Sequence, residues 1–157
     1  MIYQTDHRLL SEIQSDGCLF LCLCLAKERF KDYIWSAEEL NEAWLRLKDE
    51  KIINPETLLI QDYPALCEEL GLPIRFIPQD SLGIPLNSNG WPLPTKLSLD
   101  ASKFFVIERW TWRMSHFVKN DGTGHKPVEW DPIEYGSRTV KFGVVSDLRV
   151  FKVLKGG

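Results

Sequence analysis

The sequence never gathers positive charge in one place. Lys and Arg form no run longer than a pair, and the formal net charge is only −3. Nucleic-acid surfaces normally show a basic stripe or patch, so binding to a phosphate backbone is disfavoured. Long hydrophobic runs are missing as well: nothing approaches the roughly 20 apolar residues that cross a bilayer. The longest apolar run, Cys18 to Ala26, follows Asp6, Glu12 and Asp16 and has no basic flank. That arrangement argues against a signal peptide and for a buried helix. Together with Met1, it gives the expectation of an unprocessed, soluble, cytoplasmic chain without membrane contact. Cysteine is sparse, with residues 18, 22, 24 and 67 only, and no CxxC pair occurs. A disulfide framework would spread its bridges along the chain, so reduced thiols are expected. No paired ligand spacing supports a zinc site, and the Asn120-Asp121-Gly122-Thr123-Gly124 stretch lacks the distal Glu of a calcium loop. Neither metal nor organic cofactor is implied.

What is present is enough apolar material for one core. The chain has 157 residues, 44% hydrophobic and 26% charged, which suits a single domain over 1–157. Its first half carries helical signals. Thr5 or Asp6 can cap a helix whose Leu9, Leu10 and Ile13 share a face. Gln14 to Gly17 reads as a turn delivering the chain into the Cys18–Ala26 segment, apolar on all sides. Ser36 and Glu39 have capping-box spacing ahead of Leu40, Trp44 and Leu47. Asn54-Pro55 reads as another helix start, and a helix over Tyr63 to Leu70 should stop at Gly71. Leu72 to Ile77 is read as a strand. Residues 78–102, rich in Pro, Gly, Asn and Ser, read as one long surface loop. Strand patterns then take over at Phe104–Ile107, His116–Val118, Thr139–Val145 and Leu148–Val153, with a hairpin turn at Asn120-Asp121-Gly122. Helices first and strands afterwards predict an α+β fold with an antiparallel sheet.

Cys18 opens the buried helix, where unpaired first-turn amides and the helix dipole favour a thiolate. Gly17 before it allows a tight backbone approach with no Cβ in the way. Cys22, Cys24 and Cys67 read as core filler. A thiolate nucleophile needs an imidazole that protonates the leaving group. His7 lies in a polar helix and His125 in a Gly-rich turn, whereas His116 heads an apolar strand. Asp131, after the hairpin return, is placed to orient the His116 ring, though a plain turn residue before proline is the competing reading. Gln14, one turn upstream of Cys18, is the candidate oxyanion donor, against a solvent-exposed helix-end role. Trp110 and Trp112 alternate just ahead of His116, and Trp91 sits in the long loop. Core packing accounts for one or two of the tryptophans, and these three are candidates to line a peptide groove.

The order Gln, Gly-Cys opening an apolar helix, a strand beginning His-Phe-Val, a turn and then Asp-Pro resembles the papain-like cysteine peptidase superfamily. The likeness is to its bacterial branch of double-glycine leader peptidases and related phage-borne domains. The stretch from Trp130 to Val140 is similar to the Asp-Pro tail of such phage-associated domains. The resemblance implies a papain-like fold, with the Cys-bearing helix packed on a C-terminal antiparallel sheet. It implies Cys18 as nucleophile, His116 as general base and acid, Asp131 as orienter and Gln14 as oxyanion donor. The implied partner is a peptide or protein substrate, peptidoglycan stem peptides among the candidates. Two positions depart from the pattern: the glutamine lies four rather than six residues before the cysteine, and Leu19 and Phe20 replace the usual small residue. A non-catalytic peptide-binding module on the same fold is therefore the alternative to a hydrolase, with an acyltransferase or transglutaminase-type enzyme as a third reading.

Overall fold

A computed structural model describes residues 1–94, 99–120, 128–134 and 136–154. Helices α1 (Ser11–Asp16), α2 (Cys18–Phe30), α3 (Ala37–Asp49) and α4 (Tyr63–Glu69) come first. Strands β1 (Ile74–Phe76), β2 (Phe104–Thr111), β3 (Ser115–Asn120) and β4 (Val144–Val153) follow, with a short helix α5 (Arg138–Phe142) ahead of β4. The strands form one antiparallel sheet in the order β1-β4-β2-β3. The α+β class and the antiparallel sheet therefore stand as expected.

α2 is the axis of the molecule. Every residue from Leu19 to Ala26 is buried, which is why its sequence carries no polar stripe. On its helical side Phe20 meets Trp44 of α3 edge-to-face, with ring centroids 5.2 Å apart. On its sheet side the Cys22 thiol donates to the Phe117 carbonyl at 3.5 Å, and Phe30 packs on Phe105 at 6.1 Å. Fully burying a large apolar side chain is worth roughly 1.5–3 kcal/mol. Phe20, Leu21 and Leu23 are all in that position, so the helix is held from both sides.

Local signals succeed where side chain and backbone agree. Ser36 and Glu39 form the expected capping box. Asp62 caps α4 by accepting from Ala65 N–H, and Gly71 follows that helix at φ +61°. Four expectations are revised. Asp6 accepts from Arg8 N–H and pairs with the Arg8 guanidinium, making a turn, so α1 begins only at Ser11. Asn54 Oδ1 accepts from both Glu56 and Thr57 N–H, an Asx turn that closes a loop instead of starting a helix. The Leu72–Ile77 strand is confined to Ile74–Phe76. Thr139–Phe142 is helix rather than strand: Ser137 Oγ accepts from Val140 N–H at 3.2 Å and caps α5, so β4 starts at Val144.

Residues 78–102 are mostly irregular, but the described part is tied down. A 3-10 turn spans Gln79–Leu82, and the buried Gln79 side chain accepts from Val150 N–H and donates to Val150 O. Leu148 N–H donates to Pro92 O at 2.8 Å, drawing the loop against β4. Of the hairpin turn expected at Asn120-Asp121-Gly122, Asn120 ends β3, while Asp121 and Gly122, and His125 with them, lie in 121–127, outside the described residues. On the far side of that segment Trp130 rejoins the sheet edge by a bridge to Lys119.

Candidate active site

Gly17 sets where the thiol stands. An added Cβ would meet Ile13 Cγ2 and Ile13 O at 2.6 Å, so α1 and α2 abut at a point that only glycine fits. Leu21 N–H donates to Gly17 O at 2.9 Å. The amides of Cys18, Leu19 and Phe20 precede that first rung and point out of the helix start. Cys18 is partly exposed, whereas Cys22, Cys24 and Cys67 are buried. Burial pushes the Cys22 and Cys24 thiols well up and the Cys67 thiol to about 12. Burial thus keeps these three thiols protonated.

His116, on the edge strand β3, is 7% exposed. Its Nε2 lies 2.6 Å from Asp131 Oδ1, and the Cys18 thiol is near enough to favour the charged ring. With Nε2 engaged by the carboxylate, Nδ1 is the nitrogen left for sulfur. Burial opposes the charged ring, but the hydrogen bond to Asp131 and the nearby Cys18 thiol outweigh it and raise its pKa to about 9. Asp131 is itself fixed, with Oδ1 also accepting from Ile133 N–H at 2.9 Å and Oδ2 from Ser137 N–H at 3.1 Å. Imidazole and carboxylate are thus paired, the carboxylate held by the turn that leads into α5.

Gln14 is placed differently from the sequence expectation. Its side-chain amide donates to Leu9 O at 2.8 Å, closing α1 back on its own start. The sequence reading missed Gln4, which is 3% exposed. Gln4 Nε2 donates to Gln14 O at 3.0 Å and its backbone N–H to Pro132 O at 2.8 Å. It thereby joins the cysteine end of the helices to the Asp131 turn. A lone glutamine in a polar N-terminal segment carries no sequence signal for that role.

The three tryptophans are dispersed. Trp110 pairs in register with His116 but is buried, with Nε1 donating to Glu108; it is core and not a groove wall. Trp112 is 42% exposed and packs on Phe142 at 5.1 Å. Trp91 stands against Tyr63 and Phe76 with the Arg149 guanidinium 3.7 Å above its ring. Among the described residues no group of three or more His, Cys, Asp or Glu is arranged to hold a metal ion, and no helix is long and apolar enough to cross a membrane. Comparison of the chain with models of known families, with curated proteins and with solved structures finds no match.

Proposed function

We propose that this chain is a cysteine hydrolase of papain-like architecture, cleaving a peptide or isopeptide amide through Cys18, His116 and Asp131. The observation that carries the reading is the His116 ring held 2.6 Å from Asp131 Oδ1, with the partly exposed Cys18 thiol near enough to raise its pKa. His116 takes the thiol proton and Cys18 attacks the amide carbon, forming the C–S bond. The carbonyl oxygen becomes an oxyanion facing the first-turn amides of α2. As the C–N bond breaks, the imidazolium gives its proton to the departing amine. Water, deprotonated by His116, then attacks the thioester, and sulfur leaves to restore the thiolate–imidazolium pair. Asp131 holds the ring in one tautomer and stabilises its positive charge. Stem peptides of peptidoglycan belong to the substrate class on the strength of the sequence resemblance alone.

A non-catalytic peptide-binding module on the same fold is the second reading. The observation that favours it is the Gln14 side chain, tied to Leu9 O and so withdrawn from the oxyanion role. Alkylation by iodoacetamide, followed by peptide mass across pH 5 to 9, separates the two. A hydrolase labels at Cys18 about tenfold or more faster than His116→Ala near neutral pH, because its sulfur attacks with the help of the imidazole. Slow labelling that the mutation leaves unchanged would mean an idle thiol and favour the binding module.

A further inference from the structure

The end of the sheet remote from His116 holds a cavity that the candidate site does not use. Arg75 of β1 and Phe104 of β2 both pair in register with Lys152 of β4, so the three side chains form one row on one face of the sheet. Lys103 and Leu154 join them in lining a cavity of about 720 Å³, a size that suits a small organic ligand. Its frame is hydrogen-bonded: Val153 N–H donates to Lys103 O at 2.8 Å, and Leu154 N–H to Pro73 O at 3.0 Å. From Phe104, β2 runs on to Trp110, the register partner of His116. At ~3.4 Å per residue that is about 20 Å, so the cavity and the candidate site are separate places.

Every charge lining this cavity is positive, in a chain with 22 acidic and 19 basic residues. Arg75 and Lys152 stand directly across from each other, and like charges so placed weaken a sheet. Among the described residues, the charged ends of Arg75, Lys103 and Lys152 have no ion-pair or hydrogen-bond partner. Asp100 is near enough to Lys103 to feel its charge, but its carboxylate is turned to Ser102, accepting from N–H at 2.9 Å and from Oγ at 2.7 Å. Beside the cations, Phe104 is half-buried and packs on Val106, Leu148 and Val150, offering a fixed apolar surface. A single carboxylate would neutralise only one member of the Arg75–Lys152 pair. A phosphate monoester carries about two negative charges at neutral pH, and a guanidinium fork takes two of its oxygens at once.

We propose that this cavity binds a small soluble phosphate monoester, its phosphate held by Arg75 and Lys152 with Lys103 beside them, and its apolar body laid on Phe104 and Leu154. The binding relieves the like-charge contact across β1 and β4, and it does not depend on the hydrolase reading. The concave wall favours a ligand that carries its own apolar body over a bare anion.

Phenyl phosphate, benzoate and inorganic phosphate are titrated separately into the full chain and followed by calorimetry. Benzoate keeps the ring with a single negative charge, and inorganic phosphate keeps the charge without the ring. Phenyl phosphate binds about tenfold more tightly than either. Arg75→Gln and Lys152→Gln each lose about tenfold of that affinity, while Cys18→Ala and Lys31→Gln, an exposed lysine outside the cavity, leave it unchanged. Equal affinity for phenyl phosphate and benzoate overturns the site. So does an affinity that survives Arg75→Gln, that falls equally in Lys31→Gln, or that is lost in Cys18→Ala. Vesicles of equal parts phosphatidylcholine and phosphatidic acid separate a soluble ligand from a lipid headgroup. No cosedimentation, beside saturable binding of phenyl phosphate, supports the proposal. Cosedimentation abolished by Arg75→Gln, with no binding of phenyl phosphate, assigns the same cations to a membrane surface and overturns it.

Discussion

His116 meets two demands that pull its proton in opposite directions. Burial favours the neutral ring, while Asp131 and the Cys18 thiol favour the charged one and prevail, with the pKa rising from 6.5 to about 9. A basic group raised in the folded state adds stability that is complete below its unfolded pKa and is lost as pH climbs through the folded one. The window is therefore pH 6.5 to 9, and a shift of this size is worth about 3 kcal/mol as an order of magnitude. Urea unfolding of the unmutated chain and of His116→Ala should show the largest gap near pH 6 and a much smaller one above pH 9. A gap that widens with pH would mean the ring is neutral in the folded protein. The residue pair was legible in the sequence because each member has a local context: a glycine and an apolar run beside Cys18, an apolar strand after His116. Gln4 lacked any such context: its partners, the Gln14 and Pro132 carbonyls, are brought to it only by the folded chain, through contacts no local pattern encodes.

Among the elements, α2 was the easiest to read and α5 the hardest. An apolar run with no polar face has nowhere to go but the interior, so α2 declares its burial whatever it packs on. α5 spans five residues with β-branched Thr139 and Val140 at its start, too short for a helical period and of strand-like composition. It forms because Ser137 caps it and because its end is clamped. A Cβ on Gly143 would lie 2.3 Å from Thr111 O and 2.4 Å from Thr139 O, which leaves room only for glycine where α5 turns into β4. Asn54 misled for the converse reason, since the same side-chain oxygen that starts a helix closes an Asx turn equally well. The junction of α1 and α2 supplies the test at this scale. Gly17→Ala drives a methyl into the Ile13 backbone, and overpacking of this sort costs about 1–3 kcal/mol. Thermal melting should fall accordingly, and iodoacetamide labelling of Cys18 should slow as the helix start shifts away from His116. An unchanged melting temperature would mean that α1 can slide aside without loss.

At the scale of the molecule, the helices and the sheet are two halves joined along α2, and the groups of the candidate site divide between them. The order β1-β4-β2-β3 places the last strand of the sequence inside the sheet, between β1 and β2. Phe151 of β4 is fully buried and meets Phe76 and Tyr63 at 5.5 and 6.1 Å. Phe151→Ala should cost about 3–5 kcal/mol, measured as a lowered urea midpoint; a loss under about 1 kcal/mol would show that β4 is dispensable to the core. Helix partners lie close in sequence, but Cys22 and Phe117, which join the halves, are 95 residues apart, and contacts of that span form late and slowly. On a translating ribosome the helix bearing Cys18 emerges early, yet the strand bearing His116 has no complete sheet to rest in until β4 has cleared the exit tunnel. The order of synthesis thus keeps Cys18 and His116 apart: each nascent chain carries its thiol unpaired, and the two meet only when the central strand slots home.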